Sequence, residues 1–386
     1  MLRNRFHILV VFGTRPEAIK LAPVIHELAR ARDQFKTSIC ISSQHRDLLE
    51  PILRWFHIPV HDDLDVMRPN QELCALSGLI VERFHDVLDR RRPGLVLVQG
   101  DTTTVMAASL AAFYHRVPVG HVEAGLRTLD RYAPFPEEIN RRLASHLADL
   151  HFAPTPWARA NLLKEGIAPK HIFVTGNTVV DTFLATRARV MRRPPPIEGL
   201  KRLNLATRKL IVVTTHRREN FVGRGLTHIC HALRHLATGR DDLEIVLPVH
   251  PNPNVQSVVR STLAGVERIH LIEPLEYPQF VRLLSSAYLA LTDSGGIQEE
   301  MPSLGRPVLV MREKTERPEG IEAGVCKLVG TSTEVIVREV ERLLDEPKAY
   351  AQFRKHRNPF GDGKAAQRIV ATLKKLYASP NPLPRS

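Results

Sequence analysis

The chain has 386 residues, enough for two or three domains, and its 43% hydrophobic and 25% charged residues are ordinary for a globular protein. Its net charge of +13 favours an anionic ligand, but the basic residues are dispersed and only 6% of residues are aromatic, so nucleic-acid binding is disfavoured. The four cysteines are scattered without a C-x-x-C pair, which gives little support to a disulfide framework or a zinc site.

The first stretch, "MLRNRFHILVVFGTR", has the basic and apolar parts of a signal peptide. Its apolar run is only about seven residues long and ends in a charged turn without a small-residue cleavage site. We interpret it as a buried first strand. Elsewhere no apolar stretch approaches the ~20 residues of a membrane span. We therefore expect a cytoplasmic protein without a membrane segment.

Short apolar runs alternate with amphipathic segments along the whole chain. In the first half they predict strands at "FHILVVFG", "KTSICIS", "LVLVQGD", "PVGHVEAG" and "HFAPT", with helices at "EAIKLAPVIHELARA", "VMAASLAAFYHR" and "EEINRRLASHLADL". In the second half they predict strands at "KLIVVTTH", "LEIVLPVH", "IHLIEPL", "YLALTDS" and "RPVLVMR", with helices at "THICHALRHLA", "YPQFVRLLSSA" and "TEVIVREVERLLDE". Strands that are apolar on both faces and alternate with helices indicate parallel sheets wrapped by helices.

The proline-rich, basic stretch "RRPPPIEGLKRLNLATRK" is typical of a surface linker. The fold class is therefore predicted as α/β, with two doubly wound, Rossmann-like domains facing a cleft. We place the first domain at residues 1–174 and the second at residues 175–360.

Ligands of open parallel sheets bind outside the carboxyl ends of the strands, so the residues that follow each predicted strand are candidates for the site. In chain order they are Arg15 and Lys20, Asp101, Glu123, His216 and Arg217, and Ser294, Gly295 and Gly296. Basic, acidic and glycine-rich residues thus gather at the same edge, and this convergence indicates a functional site more strongly than any single motif.

Structural roles compete with the functional ones for several of these residues. Asp101 could cap a helix, and Lys20, one turn into a helix, could be solvated. Glu137 and Glu138 fall in the first turn of a predicted helix, where acids complement the helix dipole. Glu123, between an apolar strand and a glycine, is hard to explain as a surface residue.

The stretch "LTDSGGIQEE" raises the same question for Glu299 and Glu300. Both could complement the helix dipole and improve solubility, or one could accept hydroxyl groups of a ligand whose phosphate binds at the glycine turn. The chain contains neither a G-x-G-x-x-G turn nor a Walker lysine motif, which disfavours binding of NAD.

Six motifs, in this order, resemble the non-hydrolysing UDP-N-acetylglucosamine 2-epimerases of bacteria: "VFGTRPEAIKLAPV", "GDTTTVMAASLAAFYHRVPVGHVEAGLRT", "VTGNTVVDT", "HRREN", "LTDSGGIQEEMPSLGRPVLVMREKTERPEG" and "NPFGDGKAAQRI". The similarity extends from about Phe6 to Leu376. It implies the two-domain glycosyltransferase-B fold, with a final helix over residues 361–377 that returns to the first domain. It also implies a homodimer that interconverts UDP-N-acetylglucosamine and UDP-N-acetylmannosamine and needs neither NAD nor a metal.

The resemblance also implies roles for individual residues. It assigns to the substrate site Arg15, Lys20, Asp101, Glu123 and His216. It assigns to the UDP moiety Ser294, Gly295 and Gly296 at the diphosphate, Glu300 at the ribose, Arg317 at the nucleotide, and Leu275 and Phe280 at the uracil.

Many members of this family bind a second UDP-N-acetylglucosamine as an activator. The resemblance ties this role to Gln44, Gln71, Arg217 and His250. The present chain differs next to one of them, because Asn70 stands where an arginine stands in the members that match best.

A route through elimination satisfies the chemistry without a cofactor. The C2 proton of an amino sugar is not α to a carbonyl, so we expect UDP to leave across C1–C2, giving 2-acetamidoglucal, and to add back. His216, Arg15 and Lys20 suit the departing diphosphate. Asp101 or Glu137 suits proton transfer, and Glu123 suits support of the cationic transition state. Alternatives are a glycosyltransferase of the same fold, a hydrolysing epimerase and an inactive nucleotide-sugar sensor.

Overall fold

The computed structural model describes residues 5–43, 46–68, 71–200, 203, 205, 207–215 and 224–378. The chain divides into two compact units, Met1–Thr182 with Phe360–Ser386, and Phe183–Pro359. Each unit contains a parallel sheet whose strands alternate with helices along the chain, so the predicted fold class of two Rossmann-like α/β parts is confirmed. Among the described residues, no helix is both long and apolar enough to cross a membrane.

The first unit is built on a seven-stranded sheet. Its strands are β1 Phe6–Phe12, β2 Phe35–Ile41, β3 Asp62–Asp63, β4 Leu95–Gln99, β5 Val119–Val122, β6 Leu150–Ala153 and β7 Ile172–Val174. They pair in the order β3-β2-β1-β4-β5-β6-β7, and all described pairs are parallel. Strands β1 to β3 extend the sheet in one direction, and the chain then returns to place β4 to β7 on the other side of β1. The sheet therefore has a switch point between β1 and β4.

The helices of this unit connect consecutive strands. They are α1 Arg15–Arg30, α2 Arg46–Phe56, α3 Leu73–Arg91, α4 Thr103–Tyr114, α5 Glu137–Leu147, α6 Pro156–Lys164 and α7 Thr178–Arg192, the last of which contains the division between the units. Every residue of β4 and β5 is buried, as expected for strands covered on both faces. One core cluster joins these strands to α3 and α4 through side chains such as Phe84, Val96 and Ala108.

The second unit repeats the scheme with six strands. They are β8 Lys209–Thr214, β9 Leu243–Pro248, β10 Ile269–Ile272, β11 Leu289–Thr292, β12 Val308–Val310 and β13 Cys326–Leu328. Their order is β10-β9-β8-β11-β12-β13, which places the switch point between β8 and β11. The helices are α8 Gly225–Gly239, α9 Pro253–Leu263, α10 Tyr277–Ser286, α11 Gly295–Glu300, α12 Pro318–Glu322, α13 Thr333–Asp345 and α14 Pro347–Lys355.

Two features differ from the sequence-based expectations. The edge strands β3, β7 and β13 were not predicted, because two or three residues are too few to produce an apolar run. The proline-rich stretch is not simply a surface linker: Ile197 is buried, and the carbonyl group of Pro196 accepts a hydrogen bond of 2.8 Å from Gln279 in α10.

The C-terminal helix α15, Ala365–Ala378, is anchored in the first unit by a buried carboxylate of α7. The two oxygens of Asp181 accept hydrogen bonds from the backbone N–H groups of Ala365 at 3.1 Å and Ala366 at 2.8 Å. The first N–H groups of a helix have no partner within the helix, so Asp181 acts as a cap supplied from elsewhere in the chain.

Replacing Asp181 with alanine should lower the free energy of unfolding by about 1–2 kcal/mol, the scale of a lost helix cap. Urea unfolding followed by circular dichroism measures the change. Asp33→Ala is the matched control, because Asp33 is exposed and should contribute little. Equal unfolding midpoints for the two variants would show that Asp181 does not anchor α15.

Candidate active site

The predicted site residues of the first unit follow the three neighbouring strands at its switch point. Arg15 and Lys20 belong to α1, which begins after β1, Asp101 follows β4, and Glu123 follows β5. The three strands are parallel, so their carboxyl ends lie at one edge of the sheet. Ligands of doubly wound sheets bind at this position.

Glu123 is a buried carboxylate held in an ion pair. Its side chain is 5% exposed and the side chain of Lys20 is 13% exposed. The Lys20 Nζ lies 2.7 Å from Oε1 and 2.5 Å from Oε2 of Glu123. Lys20 is therefore not a solvated lysine, and that alternative is wrong. Glu123 has a φ of +65°, a backbone conformation that is uncommon outside glycine and that is found at many functional sites.

Two amides complete the surroundings of Glu123. Gln99, the last residue of β4, and Asn177 each donate a hydrogen bond of 3.1 Å to its Oε2. A carboxylate that accepts hydrogen bonds from one ammonium group and two amide groups is stabilised in its charged form and fixed in one orientation. Neither amide was predicted from the sequence as a site residue, although Asn177 stands in the motif "VTGNTVVDT".

Asp101 is oriented by α5 and does not cap α4. Its Oδ2 accepts a hydrogen bond of 2.5 Å from Nη2 of the buried Arg141, and its carbonyl group accepts one of 3.1 Å from Asn140. The cap of α4 is Thr102, whose hydroxyl group accepts the backbone N–H of Val105 at 3.3 Å. The capping alternative for Asp101 is therefore wrong.

Glu17 connects the turn after β1 to the turn after β4. Its Oε2 accepts the backbone N–H groups of Gly13 at 3.0 Å and Thr14 at 2.7 Å, and its Oε1 accepts the hydroxyl group of Thr102 at 2.8 Å. Burial raises the pKa of Glu17 to about 7, against the lowering effect of these hydrogen bonds. Glu17 was not predicted from the sequence as a site residue, although a Glu three positions after Thr14 is a capping-box signature.

The two acids at the start of α5 differ in their surroundings. Glu138 is fully buried and accepts the backbone N–H groups of Thr128 at 3.1 Å and Leu129 at 3.3 Å, so it holds the loop after β5. It also pairs with Arg142 at 2.9 Å. Glu137, the predicted catalytic acid, is half-buried at the first position of α5. Dipole complementation alone does not account for Glu138.

The glycine turn of the second unit follows β11, beside its switch point. Ser294 precedes α11, and Gly295 packs against Arg317, since a Cβ atom at this glycine would lie 2.5 Å from the Arg317 Nη1. Of the residues that the structure describes, a Cβ atom at Gly296 would meet only the hydroxyl group of Ser294, at 3.9 Å. The two glycines thus differ: Gly295 allows a guanidinium to approach, and Gly296 has no close contact with the described residues.

Glu299 and Glu300 are both buried, so neither serves solubility. Glu299 is 0% exposed and accepts a hydrogen bond of 2.8 Å from the Arg317 Nε, which makes it the partner of a predicted ligand-binding arginine. Glu300 is 5% exposed, and its Oε1 accepts the hydroxyl group of Tyr277 at 3.2 Å. Tyr277 is the first residue of α10, which also carries the half-buried Phe280. Leu275 lies two residues before Tyr277.

Not all predicted residues can be located. His216, Arg217 and Gln44 lie outside the described residues. Of the remaining residues tied to a second ligand, Gln71 is half-buried before α3, and His250 follows β9. The His250 Nδ1 accepts the backbone N–H of Asn252 at 3.2 Å, which fixes the orientation of its ring.

Comparisons with known proteins cover almost the whole chain. A family model described as UDP-N-acetylglucosamine 2-epimerase matches residues 27–374. UDP-N-acetylglucosamine 2-epimerases of Yersinia pestis and of Escherichia coli (strain K12) are 52% and 51% identical over 375 residues, which are 95% of this chain and 98% of each relative.

A solved structure gives the same result. The crystal structure of UDP-GlcNAc 2-epimerase from Neisseria meningitidis bound to UDP-GlcNAc matches with a TM-score of 0.90 and 45% identity, over 96% of this chain and 100% of that one. The fold and the family predicted from the motifs are both confirmed. The chain belongs to the UDP-N-acetylglucosamine 2-epimerase family, and the enzyme is accordingly an isomerase.

Proposed function

We propose that this enzyme inverts C2 of UDP-N-acetylglucosamine and UDP-N-acetylmannosamine by anti elimination of UDP, giving 2-acetamidoglucal, followed by re-addition. The observation that carries the proposal is the buried carboxylate of Glu123, held by Lys20, Gln99 and Asn177 at the edge of the sheet where Asp101 also lies. A fixed, charged carboxylate is what a cationic sugar ring needs in its transition state.

The other groups fit the remaining demands of this route. Breaking the C1–O bond leaves positive charge on the ring and negative charge on the diphosphate. Glu123 stabilises the ring. Lys20, whose ammonium group contacts the Glu123 carboxylate, stabilises the diphosphate together with Arg15 and His216. The C2 proton passes to Asp101 or Glu137. Arg141 fixes the carboxylate of Asp101, so this base loses little conformational freedom when it acts.

Turnover in D₂O tests the elimination. The C2 proton must leave to an enzyme group that exchanges with water, so both epimers should carry deuterium at C2 when recovered and analysed by mass spectrometry. A hydride-transfer epimerase would retain the original hydrogen, and epimerised product without deuterium at C2 would overturn the mechanism.

NMR of the same incubation separates the alternative activities. A hydrolysing epimerase would accumulate free N-acetylmannosamine and UDP, and a glycosyltransferase would leave C2 unexchanged. We expect the two UDP-sugars at equilibrium and no free N-acetylmannosamine, with traces of 2-acetamidoglucal and an equal amount of UDP.

In the second unit we propose that the turn of Ser294, Gly295 and Gly296 binds the diphosphate and that Glu300 accepts the ribose hydroxyl groups. Arg317 completes the nucleotide site, and Leu275 and Phe280 contact the uracil. Gly295 and Glu300 are the first and last residues of the short helix α11, so the turn and the Glu300 carboxylate lie close together, which supports this division of roles.

Glu300→Ala should weaken UDP binding by roughly 1–3 kcal/mol, the scale of a lost hydrogen bond to a charged group. Isothermal titration calorimetry with UDP measures it. Glu299→Ala is not a neutral control, because it would release Arg317. Glu267→Ala is suitable, since the Glu267 side chain is 78% exposed. Unchanged UDP affinity in Glu300→Ala would overturn the proposed contact between its carboxylate and the ribose.

The homodimer, the cytoplasmic location and activation by a second UDP-N-acetylglucosamine stay predictions. Activation would show as cooperative dependence of the rate on UDP-N-acetylglucosamine. Replacing Gln71 or His250 should then reduce the cooperativity more than the maximal rate.

A further inference from the structure

Two neighbouring helices of the first unit bring three potential metal ligands together on their surface. His85 and Asp89 are four residues apart on α3, so they lie on one face of that helix. His115 directly follows Tyr114, the last residue of α4, and is the C-cap of that helix. The two helices pack against each other through the core that contains Phe84 and Ala108, which fixes the distance between their backbones.

The donor atoms of these side chains converge. The His85 Nδ1 and the His115 Nε2 are 2.7 Å apart, and the Asp89 carboxylate lies 3.5 Å from the other ring nitrogen of each histidine. One donor atom from each of the three residues lies within 4.8 Å of the other two. No other group of three His, Cys, Asp or Glu side chains in the described ranges converges in this way.

The pair of imidazoles also constrains the protons at this point. Two ring nitrogens at 2.7 Å share one hydrogen bond, in which one ring donates and the other accepts. The two facing ring nitrogens cannot both carry a hydrogen, so one of them presents a lone pair to the other. A metal ion would replace the shared proton and bind both lone pairs.

The three arginines of α3 are directed away from this cluster. Arg83 donates to the carbonyl groups of Leu64 and Asp65, and Arg90 and Arg91 pair with Asp62, at the edge strand β3. The arginines of α3 thus bind on the β3 side, whereas His85 and Asp89 meet α4.

We propose that His85, Asp89 and His115 bind one divalent transition-metal ion of the zinc class, which links α3 to α4. Two imidazoles and one carboxylate suit zinc or a neighbouring first-row metal, whereas magnesium and calcium prefer oxygen ligands alone. Three protein ligands leave a fourth position for water. The site shares no residue with the candidate active site.

Small movements bring the ligands into place. Nitrogen ligands of a tetrahedral zinc ion lie roughly 3.3 Å apart, given bonds of about 2.0–2.1 Å. The side chains of His85 and Asp89 are 57% and 64% exposed and can rotate, whereas His115, at 19%, serves as the anchor. The spacing of the cysteines gave no support to a zinc site. The histidine pair is not evident from local spacing, because His115 is thirty residues from His85.

Zinc titration of the full-length protein tests the proposal. The protein carries no affinity tag, is stripped of metal with a chelator and is dialysed, and zinc chloride binding is then followed by calorimetry. Cobalt(II) absorption serves as a second readout, since the intensity of its visible bands reports the coordination geometry. The variants are His85→Ala, His115→Ala and Asp89→Asn.

His231→Ala is the matched control. His231 and His235 are exposed, four residues apart on α8, and belong to no converging group of three among the described residues. The variants of the cluster and the control variant each remove one exposed or partly exposed histidine. Comparing their zinc affinities therefore separates binding at the cluster from weak zinc binding by other surface histidines.

We expect one saturable zinc site in the wild type. His85→Ala and His115→Ala should each weaken it at least tenfold, Asp89→Asn should weaken it less, and His231→Ala should leave it unchanged. Excess magnesium chloride should not compete. Zinc should also raise the melting temperature of the wild type more than that of His85→Ala, whose exposed position leaves folding intact.

Four results would overturn the proposal. Three concern zinc: the absence of saturable zinc binding to the wild type, unchanged zinc affinity in both histidine variants of the cluster, and an equal loss in His231→Ala. The fourth is a cobalt spectrum typical of an ion bound only by oxygen.

Discussion

Glu123→Gln should lower kcat by about 10²–10⁴-fold, the scale of a lost catalytic acid, base or charge stabiliser. The substitution keeps the shape of the side chain but removes the negative charge that we propose supports the cationic ring. It should also leave KM for the UDP-sugar within a few-fold of the wild type, because the proposed nucleotide site belongs to the second unit. Steady-state kinetics in both directions measure the effect.

Loss of the ion pair with Lys20 must be separated from loss of chemistry. The double variant Lys20→Met with Glu123→Gln removes both charges, so it should recover part of the stability lost in Glu123→Gln but none of the rate. Glu165→Gln is the matched single control. Glu165 is a glutamate of the same unit that accepts two hydrogen bonds from the buried Arg127, at 2.8 and 2.6 Å. If Glu165→Gln slows turnover as much as Glu123→Gln, Glu123 is structural.

Gly295→Ala and Gly296→Ala should both weaken UDP binding by at least tenfold, but for different reasons. In Gly295→Ala the new methyl group would displace the Arg317 guanidinium, whose Cζ lies 2.6 Å from the Cβ position, and so disturb the buried pair with Glu299. In Gly296→Ala the methyl group would approach only the Ser294 hydroxyl group, at 3.9 Å, among the described residues, and it would clash with the diphosphate that we propose binds there. Calorimetry with UDP and thermal unfolding without ligand measure the two effects.

The unfolding experiment distinguishes the two glycines. Gly295→Ala should lower the melting temperature of the free protein, and Gly296→Ala should change it little. Normal UDP affinity in Gly296→Ala would remove this glycine from the diphosphate site. An unchanged melting temperature in Gly295→Ala would show that Arg317 moves aside without cost.

Most of the fold could be predicted because its strands are buried on both faces. β1, β4 and β8 appear in the sequence as uninterrupted apolar runs, and helices with one apolar face separate them. The short strand β13 could not be predicted in this way. It is recognised by its pairing with β12, which depends on residues distant in sequence.

The candidate site was only partly predictable for a related reason. Position after a strand identified Asp101 and Glu123, because the geometry of parallel sheets brings such residues together. It could not identify the partner of each charge. Lys20 is 103 residues from Glu123, and Arg317 is 18 residues from Glu299, so neither pair follows from local spacing.

The carboxylate of Glu17 couples the positions of the turns after β1 and β4, because both turns donate hydrogen bonds to it. A library that randomises one turn to alter sugar preference will therefore also move the other. Substitutions near Gly13 and Thr102 should be strongly epistatic, and beneficial variants will be found more readily when both turns are varied together. Glu17 itself is the position that such a library should hold constant.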